Sequence, residues 1–331
     1  MIPYFRPDAL VLLSKPFLLA IQPWGVMVAL GFMLGSNVCQ KYAARRGINP
    51  KAFADIVVWL AVGALVFGHI GWMIYEPEAV AADPLVVLKI WDGLSSMGGF
   101  FGCTLLAIVF FKRQNIVVLR GGDILMIGLA FGYFLGRVGC FIVHDHPGKI
   151  VEDAPPIVQS TIGWLGVEYP DRERVTEVGL KALREGEYPE FQARIDSGRA
   201  AEDSMGFQVG MYELHLDPKM VGTTRFDLGL HDALVALALF GLLALLARKP
   251  RREGLLLAVT PLFYMPIRFL NDFLRNSDLT TQDSRYGGLT PAQYGAIVLF
   301  LAGLVLLVTV VRTRPEWPEP GTEPYPAPKA A

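Results

Sequence analysis

Arginine inside an apolar run asks for a chemical reason, and this chain has two. Arg137 stands six residues before the end of the apolar run in GYFLGRVGCFIVHDHPG (132–148), which closes on His144-Asp145-His146. Arg268 lies in a second run, with Asp272 four residues on and Arg275 seven, spacings that put all three on one helical face. A guanidinium at mid-membrane costs ~2.5–3.5 kcal/mol on insertion scales, so it persists where it meets an anion or snorkels to the surface. Its planar fork matches carboxylate and phosphate oxygens. Arg268 and Asp272 can bridge each other; an unpaired Arg137 wants another anion, and lipid phosphate is the one in supply at that depth.

Other polar residues fall in the same outer layer. His231 and Asp232 open one apolar run, His69 lies in another, and Trp24 in a third. Met97, Gly98 and Gly99 sit in GLSSMGGFFG, where glycine permits a close backbone approach. Each has a plain structural explanation: an interfacial tryptophan, an internally satisfied histidine, small residues in helix packing. Together they describe a polar chamber open toward the outer leaflet. Histidine suits proton transfer near neutral pH, which makes His231 the first candidate base and His144 and His146 the next. No metal site is expected, because histidines at i and i+2 on a turn have no clear third ligand. Cys140 reads as a buried, inert thiol.

The elements that carry these residues follow from composition. The chain has 331 residues, 53% hydrophobic and 18% charged, with a formal net charge of −1. That is the profile of an all-α polytopic membrane protein and gives no footing for nucleic acid. Seven segments are apolar for the ~20 residues that span hydrocarbon: 17–38, 52–75, 94–111, 122–143, 228–247, 255–275 and 290–311. Basic residues follow the first, third and fifth (Lys41, Arg45, Arg46, Lys51; Lys112, Arg113, Arg120; Arg248, Lys249, Arg251, Arg252), while Glu76, Glu78, Asp83, Asp278 and Asp283 lie on the other side. The positive-inside rule then puts the N-terminus outside and the C-terminus inside. The leading arm lacks a cleavage site, so no signal peptide is expected. Three cysteines, all in or at the ends of apolar segments, argue against a disulfide framework.

The domain reading is therefore an arm and four helices over 1–143, an external α+β insertion over 144–227, three helices over 228–311, and a proline-rich, disordered internal tail over 312–331. The insertion holds 16 acidic and 9 basic residues. DRERVTEVGLKALREG within it predicts an amphipathic helix, and the alternation in GFQVGMYELHL predicts a strand.

GRVGCFIVHDHPG resembles the signature of the prolipoprotein diacylglyceryl transferase family, G-R-x-G-N-F-x-N-x-E-x-x-G, with Gly136, Arg137, Gly139, Phe141 and Gly148 in register. PWG (23–25), MGGFFG (97–102), LGLHDAL (228–234), RFLNDFLR (268–275) and LTPAQYG (289–295) are similar to further family motifs in the same order. The resemblance implies a seven-helix enzyme of the bacterial inner membrane, its site facing the periplasmic leaflet, with no cofactor. Its substrates would be phosphatidylglycerol and the lipobox cysteine that follows a preprolipoprotein signal peptide. It implies that Arg137 and Arg268 hold the phosphate. Trp24, Met97, Gly98, Gly99, Cys140, Gly148, Asp272, Arg275 and Gln293 would line or orient the substrates.

The departures are specific. The family's H-G-G is Met97-Gly98-Gly99, its signature asparagine is Cys140, its next asparagine Val143, and its glutamate Asp145. Its Tyr-Glu is His231-Asp232, and Asp272 stands where it usually has glutamate. A thiol is only a few per cent thiolate at neutral pH, so His231 is expected to take over the missing histidine's part. Two other readings stay open: a phospholipid-binding paralogue without transfer, and a small-molecule transporter, against which the lack of an internal repeat counts.

Overall fold

The computed structural model describes residues 1–7, 10–13, 19–90, 93–198, 200–249, 251–279 and 285–317. Asp283 and residues 318–331 of the proline-rich tail lie outside them. Each of the seven apolar segments contains a helix. In chain order the helices are α1 (Pro23–Arg45), α2 (Pro50–Tyr75), the short α3 (Pro77–Ala82), α4 (Ser96–Arg113) and α5 (Val118–Val143). Next come α6 (Pro156–Ile162), α7 (Arg172–Arg184), α8 (Pro189–Asp196) and α9 (Glu202–Glu213), then α10 (Leu228–Leu246), α11 (Leu255–Asn271) and α12 (Pro291–Thr313). Four of them, α2, α5, α10 and α12, are long and apolar enough to cross a membrane.

Proline opens α1, α2 and α12, where its missing N–H costs nothing. Two boundaries depart from the hydropathy reading. The first helix begins at Pro23 because Leu19–Ile21 (β3) pairs antiparallel with Leu10–Leu13 (β2). The sixth ends at Asn271 and tightens into a 3-10 turn over Asp272–Leu274, so Arg275 has left the helix that carries Arg268.

The chain divides into two compact units. One comprises Ala29–Tyr133, Ala236–Tyr264 and Leu299–Ala331. Here helices meet through backbone. A methyl group on Gly63 of α2 would lie 2.8 Å from the Gly102 carbonyl carbon of α4, and one on Gly35 of α1 2.7 Å from the Gly128 carbonyl oxygen of α5. Small residues at such crossings let dispersion replace a hydrophobic driving force that lipid cannot supply. Phe53, Phe110, Phe111, Ile124 and Trp317 fill the core beside them. Asp123, buried, accepts from the N–H groups of Gly254 and Leu257 (2.7 and 2.9 Å) and caps α11.

The other unit comprises Met1–Val28, Phe134–Val235 and Met265–Val298. Its sheet has the order β1-β5-β6-β4, formed by Ile2–Pro3, Val167–Glu168, Thr224–Asp227 and Pro147–Ile150. β1 runs parallel to β5; the other two pairings are antiparallel. Arg225 is fully buried beneath it. Its guanidinium donates to both carboxylate oxygens of Asp278 (3.1 and 2.6 Å), to the Gly148 and Lys219 carbonyls and to the Thr223 hydroxyl. Every donor side of the fork is used. The bond to Arg225 holds the Asp278 carboxyl below its ordinary range.

The amphipathic stretch of the insertion is helical as expected: it is α7, capped by the Asp171 carboxylate on the Arg174 N–H at 2.9 Å. The expected strand over 206–216 is instead α9 and a following turn. Its glycines recur at four, not two. Gly206 and Gly210 form the face that lies on α7, so close that a methyl on Gly210 would strike the Val175 carbonyl oxygen at 1.8 Å. The alternation of larger side chains concealed that spacing.

Candidate functional site

The predicted arginines meet two carboxylates within the unit that holds the sheet. Arg137, on α5, pairs with Asp232 near the start of α10 at 3.4 Å. Arg268, near the end of α11, pairs with Asp272 at 2.9 Å, and Arg275 reaches the same oxygen at 3.8 Å. Asn271 joins the pairs by donating to Asp232 at 3.4 Å. Asp232 and Asp272 are 2% and 0% exposed, whereas the arginine side chains keep 16–23% of theirs. The carboxylates thus form a floor and the guanidiniums an accessible rim. Three guanidiniums meet two carboxylates here among the described residues, and their planar donors are of the kind that suits a phosphodiester.

Arg137 is therefore ion-paired, where its sequence context suggested an arginine without a protein anion. The signal for its partner was the His231-Asp232 pair itself, but the pairing needs α10 beside α5, a tertiary fact. Close packing brings them together: a methyl on Gly229 would lie 2.8 Å from the Phe141 backbone nitrogen.

Asp272 is fixed from a second side. The Thr290 hydroxyl donates to it, the Thr290 N–H donates to Gln293 Oε1 at 3.0 Å, and Gln293 Nε2 donates to the Phe269 carbonyl at 3.1 Å. Gln293 is fully buried and ties the start of α12 to the end of α11. Gly148 lies on β4 and pairs with Arg275 in an isolated bridge; a methyl there would meet the Leu274 carbonyl oxygen at 2.7 Å. This glycine lets the strand hold the segment that carries Arg275.

The end of α5 is shaped by a Schellman turn. His144 adopts φ 49, its N–H bonds to the Phe141 carbonyl, and the Asp145 N–H bonds to the Cys140 carbonyl. A histidine tolerates the left-handed conformation here because its ring is anchored. Nδ1 of His144 lies 2.8 Å from Asp227 Oδ2, with Tyr4 stacked on the ring, while Asp227 Oδ1 caps α10 through the Leu230 N–H at 2.9 Å. His144 is thus a structural fastener. The turn folds Asp145 and His146 back over Cys140. Asp145 accepts from Nδ1 of His146. Burial disfavours the charged ring, but the hydrogen bonds to Asp145 and Cys140 outweigh it and lift the His146 pKa to about 9, with Arg137 opposing.

His231 is buried against Phe226, and its Nε2 meets no hydrogen-bond partner among the described residues. Trp24 is half-exposed at the start of α1, and a methyl on Gly139 would lie 3.3 Å from its indole. Met97, Gly98 and Gly99 belong to the other unit. There Gly98 packs α4 onto α2, a methyl on it reaching 2.1 Å from the Phe67 carbonyl oxygen, and Met97 is half-exposed. His69, in that unit too, sets its two ring nitrogens on the Gly93 and Val86 carbonyls at 3.1 and 3.0 Å. It is held by its surroundings, the plain explanation.

Residues 11–309 match the profile of the family described as prolipoprotein diacylglyceryl transferase. Similar proteins include the phosphatidylglycerol–prolipoprotein diacylglyceryl transferase of Chromohalobacter salexigens, 26% identical over 93% of this chain and 94% of that one. The Pseudomonas putida protein of the same name is 25% identical over 95% and 98%. That of Synechococcus elongatus is 33% identical over 46% of this chain and 54% of its own. The chain belongs to the prolipoprotein diacylglyceryl transferase family.

Proposed function

We propose that membership of this family carries its activity: the chain moves a diacylglyceryl group from phosphatidylglycerol to the cysteine thiol of a prolipoprotein, forming a thioether. The names of its relatives support the substrates. The gathering of three partly accessible guanidiniums on the Asp232–Asp272 floor supports the chemistry, and it is the one observation that carries this reading.

The electrophile is the glyceryl carbon bonded to the phosphate oxygen, and the leaving group is glycerol phosphate. Arg137 and Arg268, preorganised by buried carboxylates, hold that phosphate and stabilise the charge it gains as the carbon–oxygen bond breaks. Arg275, Asp272, Asn271 and Gln293 keep the two guanidiniums aimed. His231 accepts the thiol proton; a buried imidazole with an unsatisfied Nε2 beside Asp232 is suited to that part. We read seven spans with the N-terminus and the site on the periplasmic side of the inner membrane, on the charge asymmetry of the loops. The prolipoprotein then presents its thiol, just after the signal peptide, from the bilayer surface.

Complementation tests this. In cells depleted of their own transferase, expression of the chain is expected to restore mature, diacylated lipoproteins. A well-expressed chain that binds phosphatidylglycerol vesicles but leaves prolipoproteins unmodified would sink the enzymatic reading and favour a lipid-binding paralogue, to which Met97 in the histidine position points. Within the enzyme, His231→Ala is expected to slow transfer more than His215→Ala, a change remote from the arginines. Equal rates would remove His231 from the mechanism.

A further inference from the structure

A guanidinium that lies in none of the family-like stretches reaches Asp272 from another side. Arg285 stands between RFLNDFLR (268–275) and LTPAQYG (289–295), on the segment that joins α11 to α12. Its Nη2 donates to the Asp272 carbonyl at 3.5 Å and its Nη1 to the Gly288 carbonyl at 3.4 Å. We propose that Arg285 is a further binding residue for the donor lipid. It takes a phosphate oxygen of phosphatidylglycerol as the headgroup arrives beside Arg268 and Arg275. The assignment rests on the transferase reading above.

The backbone around Arg285 is built to hold it in place. Tyr286 and Leu289 close a two-residue turn with a pair of hydrogen bonds, 2.8 Å from the Tyr286 N–H and 3.1 Å from the Leu289 N–H. Gly287 and Gly288 supply the two successive positive φ angles, 56 and 84, that such a turn requires. The Tyr294 hydroxyl, on the first turn of α12, donates to the Tyr286 carbonyl at 2.7 Å. Thr290, just after the turn, donates its hydroxyl to the Asp272 carboxylate. The chain thus leaves Asp272 and is tied back to it, bringing Arg285 along. Tyr286 and Tyr294 are 63% and 44% exposed. Exposed tyrosines at the end of a membrane helix belong at headgroup depth, where a lipid phosphate is met.

The hydrogen bonds decide what Arg285 offers. Arg268 and Arg275 commit donors to the Asp272 carboxylate, which a ligand has to share. Arg285 sets its two on neutral carbonyl oxygens, at distances beyond the ~2.7–3.2 Å of a good N–H···O bond. A phosphate oxygen accepts the same donors with charge assistance, roughly twice as strongly. Binding therefore trades long neutral contacts for a charged one. Arg285 is exposed and meets the intact diester, so its contact is felt equally before and during bond breaking. Uniform binding of that kind sets KM and leaves kcat. Arg137 and Arg268, aimed at the charge that develops, act on kcat.

The test uses the full-length protein in mixed micelles of detergent and phosphatidylglycerol, with a lipobox peptide as acceptor. Arg285→Ala should raise KM for phosphatidylglycerol about tenfold and change kcat by less than about twofold. Arg285→Gln keeps a neutral donor for the Asp272 carbonyl but loses the charge, so it should match the alanine variant. Arg285→Lys keeps the charge without the fork and should return KM to within about threefold of wild type. Wild-type kinetics in Arg285→Gln would mean that the side chain only braces the turn, and would overturn the proposal. So would an unchanged KM with a fallen kcat. Free glycerol phosphate is the second arm: if Arg285→Ala weakened only its inhibition and left KM for the lipid unmoved, the residue would serve the product and not the donor. Binding of radiolabelled phosphatidylglycerol by the purified protein separates the two readings. A chain that binds this lipid, binds it about tenfold more weakly as Arg285→Ala, and transfers nothing would keep the site and refute the transferase reading instead.

Discussion

The two ends of α11 each meet a buried carboxylate, and the two are satisfied by opposite means. Asp123 receives two backbone N–H groups at the N-terminal end, with the Trp317 indole at 3.4 Å. All three donors are neutral, and the helix dipole favours an anion there. Asp272 lies at the other end, where the dipole opposes an anion, and guanidiniums from Arg268 and Arg275 offset it. A carboxylate held by amides fixes backbone and is finished. A carboxylate held by arginines fixes partly accessible guanidiniums where a ligand could meet them. The difference sets the candidate site's carboxylate apart from a capping one more sharply than burial does, since both are about equally buried.

Substitution should pull the two ends apart. Arg268→Ala or Arg137→Ala is expected to lower the initial rate of diacylglyceryl transfer by about a thousandfold or more, ~4 kcal/mol in the barrier. Lysine should recover little because the fork is lost. A radiolabelled phosphatidylglycerol assay with a lipobox peptide measures both. At the opposite end, Asp123→Ala is expected to cost about 3 kcal/mol of stability by orphaning buried amides, seen as a lower denaturation midpoint. Turnover per folded molecule should stay unchanged. If Asp123→Ala abolished turnover in fully folded protein, the contrast would be wrong.

Smaller effects sharpen it. Arg225 and Asp278 are a charged pair with a structural task, so Asp278→Asn should destabilise the sheet by about 2 kcal/mol and leave phosphate binding alone. Because Arg225 lowers the Asp278 pKa, the ionic part of that stability, reduced by solvent screening at this exposed carboxylate, is fully present above the unfolded carboxyl value and lost as pH falls through the lowered folded value. Unfolding of the wild-type chain below about pH 4 should therefore show a component that Asp278→Asn lacks. Smallest is Asn271→Ala. Its 3.4 Å bond to Asp232 is long, and its loss should slow transfer by two- to fivefold, or ~0.5–1 kcal/mol.

Much of this was legible before any coordinates. Apolar runs marked the helices, and the spacing of Arg268, Asp272 and Arg275 marked one arm of the site. What escaped was whatever depends on two segments meeting. Asp232 was visible only as a neighbour of His231, because its partner comes from a helix some ninety residues earlier. The turn after α5 escaped as well, since nothing in HDH announces a left-handed histidine that sends the chain backward. The α9 segment was misread because large side chains alternated while the glycines that set its packing recurred at helical spacing.

The glycine crossings of α1 on α5 and α2 on α4 carry a mechanical meaning. Main chains in direct contact cannot be parted by a side chain swinging aside, and sliding one along the other would drive carbonyl oxygens into Cα atoms. Each couple must move as a single stiff plank. A lipid with two acyl chains can slip into or out of the protein only along a seam that these couples do not close.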